Sequence, residues 1–122
     1  MKALSIHAPY IYEILIGTKK EEYRTWKPKE KGRVLLCSSS KKYKGYVSGY
    51  ALCTAEISRI RNYPGEGTNG RMLYGWELKN IKYVEPFPVK GKLHLFDVED
   101  DLINPVKVSQ RQYLEKYYRP LI

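Results

Sequence analysis

A predicted helix meets a predicted strand across the segment Gly17-Thr18-Lys19-Lys20-Glu21-Glu22-Tyr23-Arg24. On the N-terminal side of this segment, Pro9 suits the first turn of a helix, where a missing amide proton costs no hydrogen bond. Side chains with apolar surface then follow at helical spacing, at Tyr10, Ile11, Ile14 and Leu15. Gly17 is a candidate C-cap, so the helix is expected to end there.

After Gly17 the sequence alternates in a way that is typical of a strand. Because alternate side chains of a strand point to one side, Glu22, Arg24 and Trp26 are expected on one face. Lys19 follows the helix C-terminus, where the helix dipole favours a cation. The sequence therefore predicts a patch that combines an ammonium, a carboxylate and a guanidinium. Such a set can bind a phosphate, hydrogen-bond a base edge or transfer a proton, and it can equally form a surface ion pair.

The rest of the chain predicts short strands and a second helix. Strand-like runs occupy Lys2–Ile6, Arg33–Cys37, Val47–Ile60, Met72–Leu78, Ile81–Val84 and Leu93–Val98. A flexible loop is expected over Arg61–Gly70, and a last helix over Gln110–Tyr118 with Ser109 as its N-cap. The predicted fold is a single α+β domain over residues 1–122. It is a small, mixed, partly closed barrel of five to six strands, with one helix after the first strand and one at the C-terminal end.

Composition narrows the possible functions. The chain has 122 residues and a formal charge of +9, with 12 tyrosines but only 2 tryptophans and 2 phenylalanines. Residues 19–44 hold ten Lys or Arg against three Glu, which is a local charge of +7. Tyrosines among cations favour a surface that stacks on bases and neutralises phosphates, although a solvated lysine-rich loop has the same composition. Disorder and a separate cofactor domain are excluded, and a cytoplasmic location without membrane contact is expected.

Cysteine and histidine do not form a ligand pattern. Cys37 and Cys53 both lie in apolar runs, so reduced, buried thiols are expected. None of the usual paired spacings of a metal site relates these cysteines to His7 or His94. We therefore expect no metal and no cofactor.

Several segments, in order along the chain, resemble conserved blocks of the ASCH domain, a member of the PUA-like superfamily. The segment Gly17–Trp26 resembles the family signature G-x-K-x-x-E-x-R and an R-T-W extension. The other matching blocks are Lys2–Ile6, Ala8–Tyr10, Gly32–Lys41, Cys53–Ile57, Gly75–Leu78 and Val89–Leu93. The resemblance implies a mixed pseudobarrel with a cleft beside the first helix, and a link to RNA. The implied ligand is a single-stranded RNA or a modified nucleotide.

This resemblance also implies which residues form the cleft. Lys19, Glu22 and Arg24 would line it, and the end of a neighbouring strand would add Ser38, Ser39 and Lys41. Tyr10 and Trp26 are candidate stacking surfaces, with packing between the helix and the barrel as the alternative for both.

Two other functions stay open at this point. Some relatives resemble amidohydrolases that deacylate a modified cytidine such as N4-acetylcytidine, and others resemble ribonucleases. Either activity would use Lys19 and Glu22 without metal, although the amidohydrolases have threonine where this chain has Glu22. A third possibility is a protein-interaction module in transcription, with Asp97–Asp101 and the final helix as the contact surface.

Overall fold

A mixed six-stranded sheet organises the molecule, for which a computed structural model describes residues 1–122. The strand order is β2-β5-β4-β3-β1-β6, in which β1 and β3 are parallel and every other pair is antiparallel. The strands are β1 (Lys2–Ile6), β2 (Glu21–Arg24), β3 (Gly32–Ser38), β4 (Tyr50–Tyr63), β5 (Leu73–Pro88) and β6 (Phe96–Asp97). The sheet does not close, and β2 and β6 are its edges. The predicted α+β fold is confirmed.

Helices flank this sheet at both ends of the chain. Helix α1 (Ala8–Leu15) follows β1 directly, has proline in its first turn, and leads to Gly17 at φ +85°. Helix α2 (Gln110–Tyr113) begins with a capping box, in which Ser109 and Gln112 each accept from the other's backbone amide. Neither helix is long and apolar enough to cross a membrane.

The predicted final helix is regular for only one turn. After α2 the chain continues as a π-helical turn (Leu114–Tyr118) and a 3-10 turn (Arg119–Leu121). Tyr113 and Tyr118 are both buried, and the π-helical spacing of five residues brings both rings to the same side. Packing of two tyrosines therefore overrides the α-helical period that the sequence predicts.

The hairpin of β4 and β5 is longer than predicted. The expected loop over Arg61–Gly70 is wrong at its start, because β4 continues to Tyr63, and the two expected strands after it form the single strand β5. Asn80 interrupts β5 with a left-handed φ of +52°, and its side chain donates to Glu56 Oε2 at 2.7 Å. This hydrogen bond joins β5 to β4 beside the irregularity, where their register shifts between Thr54 and Glu56. The strand expected over Leu93–Val98 shortens to Phe96–Asp97.

Two hydrophobic clusters lie on the sheet. The larger one packs α1 and the final turns against the strands, with Trp76 and Tyr113 as its largest fully buried side chains. The smaller one includes Ala51, whereas Cys53 belongs to the larger cluster. Ala51 and Cys53 therefore belong to different clusters although they are two residues apart, and the register of β4 against β5 shifts between them.

Curvature brings the edge strand β2 close to β1, although three strands lie between them in the sheet. No backbone ladder joins β2 to β1. Instead, Arg24 Nη2 donates to the carbonyl oxygen of Ser5 at 2.8 Å. One side chain therefore spans the opening of the pseudobarrel, beside the C-terminal end of α1.

Candidate functional site

The end of α1 and the start of β2 position the three charged residues of the signature. Beyond α1, the backbone amides of Thr18 and Lys19 both donate to Glu13 O, at 3.0 and 3.2 Å. This tight turn fixes Lys19 just before β2. In β2, Glu22 pairs with Trp76 of β5, which holds its backbone in the ladder. The alternation of the strand then places Glu22 and Arg24 on the same side.

The three side chains form one ion cluster. Glu22 Oε1 lies 3.6 Å from Lys19 Nζ, and Glu22 Oε2 accepts from Arg24 Nε and Nη2 at 3.0 and 2.8 Å. The exposed fractions of the Lys19, Glu22 and Arg24 side chains are 17%, 8% and 20%. A carboxylate buried to this extent is tolerated because both of its oxygens face cations. The predicted convergence of these three groups is therefore observed.

A cavity of about 700 Å³ opens beside this ion cluster, and we call it cavity 1. Five of the predicted residues line it: Tyr10, Lys19, Glu22, Arg24 and Ser39. The segment that carries Lys92 and Leu93 also lines it. Lys92 forms no salt bridge, although, after the hydrogen bond from Lys2, its charge contributes to the lowered pKa of Asp97, so it adds a positive charge to this lining.

Two tyrosines flank the lysine of the cluster. The Lys19 ammonium lies 5.5 Å from the ring centroid of Tyr10 and 4.9 Å from that of Tyr23. Tyr10 is 53% exposed and Tyr23 is 46% exposed, so both rings offer surface to a ligand. The ammonium lies within cation–π range of both rings.

Comparison with known proteins gives the chain a family. The model of the ASCH domain family matches residues 4–117. The chain belongs to the ASCH domain family. A search of curated protein sequences found no significant match.

Solved structures agree with this assignment. The crystal structure of ASCH from Zymomonas mobilis is similar to this ASCH domain with a TM-score of 0.64 and 12% identity, covering 96% of this chain and 94% of that one. A single-substitution mutant of the same bacterial protein has a TM-score of 0.66 and 10% identity, with coverage of 96% and 95%. At these identities the likeness establishes a shared fold, and the predicted PUA-like pseudobarrel is confirmed.

Three predicted site residues of this ASCH domain lie outside cavity 1. Ser38 is buried, accepting a hydrogen bond from the Tyr50 amide at 3.1 Å and donating to its carbonyl at 3.3 Å. Lys41 places its ammonium 5.3 Å from the ring centroid of Tyr43. Trp26 follows the end of β2 and packs against the core, with its ring edge-to-face on Trp76 of β5. The strand ends at Arg24, so the alternation that would place Trp26 with Glu22 stops too early.

A histidine that the sequence gave no role lines cavity 1. The Nδ1 atom of His7 lies 3.2 Å from Tyr43 Oη and 3.5 Å from Ser39 Oγ. Both partners come from the segment after β3, and His7 and Ser39 line cavity 1 together with Lys19. Its position between β1 and α1 is the only sequence signal that could have placed it there.

Thiol and metal chemistry have no support at this site. Burial raises the pKa of Cys37 to about 12 and raises the pKa of Cys53 further above its ordinary value. Neither thiol lines the cavity. No three side chains among histidine, cysteine, aspartate and glutamate come together in a group that could hold a metal ion.

The acidic stretch predicted as a protein-contact surface makes contacts within this chain. Asp97 pairs with Lys2 at 2.9 Å, and Asp100 pairs with the N-terminal ammonium of Met1 at 2.7 Å. The final helical turns bury Tyr113 in the core. A protein partner at this surface remains a prediction.

Proposed function

We propose that this ASCH domain binds single-stranded RNA and holds one unstacked nucleotide, ordinary or modified, in cavity 1. The observation that carries the proposal is the convergence of Lys19, Glu22 and Arg24 with two half-exposed tyrosines around one cavity. Nucleotides need two kinds of surface, a cation for the phosphate and a flat apolar face for the base. Both kinds lie within this cavity.

Charge at cavity 1 favours an anionic ligand. Lys19, Arg24 and Lys92 contribute three positive charges against one negative charge from Glu22. Lys19 and Arg24 share that carboxylate, whereas Lys92 has no acidic partner. The local balance of +2 attracts a phosphate, and the fork of Arg24 is already oriented by Glu22 and Ser5.

Aromatic surface and a carboxylate suit the base. Stacking on Tyr10 or Tyr23 would contribute about 1–3 kcal/mol for any base. Glu22 Oε1 contacts only the Lys19 ammonium, at the longer distance of 3.6 Å, and so keeps capacity to accept another hydrogen bond. A base with an exocyclic amino group, such as cytosine, would supply that donor.

Binding can be tested by fluorescence anisotropy with labelled single-stranded RNA of about ten nucleotides. We expect Lys19→Gln to weaken binding about tenfold or more, and to lower the salt slope by about 0.7 if Lys19 neutralises one phosphate. Lys20→Gln is the matched control, since it removes the same charge from the neighbouring residue, which does not line cavity 1. Equal affinities for wild type, Lys19→Gln and Lys20→Gln would contradict the proposal.

Hydrolysis is the second candidate function, favoured by the 3.6 Å contact between Lys19 Nζ and Glu22 Oε1. An ammonium beside a carboxylate can move a proton to a leaving group without metal. Incubation with RNA and with N4-acetylcytidine, each beside Lys19→Gln, tests this activity. If the wild-type protein forms no more product than Lys19→Gln, hydrolysis is contradicted and binding remains the proposed function.

A further inference from the structure

We propose that a second cavity, next to cavity 1, binds the following nucleotide of the same RNA strand. This cavity 2 has a volume of about 460 Å³ and is lined by Trp26, His94 and the loop that carries Lys27 and Lys29. The proposal rests on the proposed function, because it needs a strand whose first nucleotide occupies cavity 1. Its ligand class is a single-stranded oligonucleotide rather than a mononucleotide.

Both walls of cavity 1 continue directly into cavity 2. On one wall, Lys92 and Leu93 line cavity 1, and the next residue, His94, lines cavity 2. On the other wall, Arg24 lines cavity 1 and Trp26 lines cavity 2, with Cα atoms at most about 7 Å apart. The two cavities are therefore lined by neighbouring residues of the chain on both walls, and we infer that a strand leaving the first can reach the second.

The wall between the cavities is held in place by close packing. A Cβ atom added to Gly91 would lie 2.5 Å from Ser5 Oγ, so only glycine allows this segment to lie so near β1. Ser5 is also the residue whose carbonyl accepts from Arg24. The spacing of the two cavities is thus fixed by the same contacts that span the opening of the pseudobarrel.

Trp26 in cavity 2 is a preorganised aromatic ring. Its centroid lies 5.0 Å from that of the buried Trp76 and 4.6 Å from that of His94, both in edge-to-face geometry. Its backbone carbonyl also accepts from the Trp76 indole nitrogen at 3.3 Å. A ring held in this way loses little conformational entropy when a base stacks on it.

Charge around cavity 2 suits the phosphate that links two nucleotides. Three ammonium groups, from Lys2, Lys27 and Lys29, line the cavity with one carboxylate, from Glu30. Lys2 is paired with Asp97 at 2.9 Å. Lys27 and Lys29 form no salt bridge, and the Lys27 ammonium lies 5.7 Å from the ring centroid of Tyr74, so no carboxylate neutralises either charge.

Intrinsic tryptophan fluorescence provides a direct test, because the protein has only two tryptophans and Trp76 is fully buried. The probes are cytidine monophosphate and an oligocytidylate of about six nucleotides, a length within the range of single-strand sites. We expect the oligocytidylate to quench Trp26, and cytidine monophosphate to bind, as followed by calorimetry, without quenching. Trp26→Ala should weaken oligocytidylate binding about five- to 150-fold and leave mononucleotide binding unchanged.

Surface variants keep the test independent of folding. Lys27→Gln combined with Lys29→Gln should lower the salt slope for oligocytidylate by about 1.4, which is two phosphates at about 0.7 each. Lys42→Gln combined with Lys44→Gln removes the same charge from two residues that line neither cavity, and serves as the control.

Each outcome separates this inference from the proposed function. The second subsite is overturned if binding depends on Lys19 but Trp26 is not quenched and the two double variants have equal salt slopes. The proposed binding of a nucleotide in cavity 1 is then unaffected. Binding that depends on Lys27 and Lys29 but not on Lys19 overturns both proposals, because the second subsite needs a strand whose first nucleotide occupies cavity 1. If neither probe binds the wild-type protein, both proposals are overturned.

Discussion

Substitution of Glu22 should reveal how strongly the ion cluster of the site supports the fold. Glu22→Ala removes the carboxylate that faces the Lys19 ammonium and the Arg24 guanidinium. The two cations then repel each other in surroundings that are about four-fifths removed from water. Breaking a fully buried ion pair costs about 3–5 kcal/mol. Because both cations keep some solvent contact, we expect a loss of about 2–4 kcal/mol in the free energy of unfolding.

Two further variants separate charge from hydrogen bonding. Glu22→Gln keeps an oxygen that can accept from Arg24, so it should cost only about 1–2 kcal/mol. Arg24→Ala leaves Glu22 with one cationic partner and removes the bond to Ser5 O. The double variant Glu22→Ala/Arg24→Ala should lose about 1–3 kcal/mol less free energy of unfolding than the sum of the two single variants. The reason is that the double variant leaves neither charge without its partner.

Urea unfolding at neutral pH, followed by circular dichroism, measures these free energies. For a chain of 122 residues, each kcal/mol also corresponds to a shift of about 3–5 °C in the melting temperature. Strict additivity of Glu22→Ala and Arg24→Ala would refute the argument, as would a cost for Glu22→Ala within about 0.5 kcal/mol of zero. Either result would mean that the observed contacts do not couple energetically.

Three other side chains give shorter predictions. A hydrogen bond from Ser58, with nearby cations, lowers the pKa of Glu77 to about 2 from 4.5. The stabilisation that ionised Glu77 gives the fold is therefore complete above pH 4.5 and is lost as the pH falls towards 2. Acid titration of Ser58→Ala should therefore show a shallower loss of stability over that range than wild type. Tyr113→Phe should lower the free energy of unfolding by about 1–2 kcal/mol in urea titrations, because its hydroxyl lies 2.8 Å from two buried main-chain carbonyls. Cys37 and Cys53 should resist a thiol reagent at pH 8 and react only on unfolding, since burial raises both pKa values; fast labelling of the folded protein would contradict this.

Local sequence signals were sufficient to predict that Lys19, Glu22 and Arg24 come together. Pro9 and Gly17 bound the first helix, and alternation after Gly17 is enough to bring Glu22 and Arg24 to one side. These features depend on neighbours within a few residues, where propensity and periodicity act directly. The same reasoning placed Lys19, because a residue just after a helix has few positions available to it.

Tertiary contacts determined what the sequence did not predict. Lys92 and Leu93 line cavity 1 although they lie about 70 residues after Glu22 in the sequence. The close approach of Gly91 to Ser5 brings their segment to β1. Tyr23 also lines cavity 1, although strand alternation alone would point it away from Arg24. Since β2 is an edge strand of only four residues, a side chain at its outer rim can still reach the Lys19 ammonium.

Arg24 makes the width of cavity 1 depend on a single side chain. The backbone of β2 is paired only with β5, so no ladder fixes the distance between β2 and β1. The guanidinium spans that opening, because Nη2 bonds to both Glu22 Oε2 and Ser5 O while Nε bonds to the same carboxylate oxygen. A lysine would keep the charge but offers one nitrogen on a flexible stem in place of a planar fork. The residue type at this position is therefore required by the shape of the opening as well as by its charge, and a ligand that binds the assembled cluster must also stabilise the β1–β2 contact.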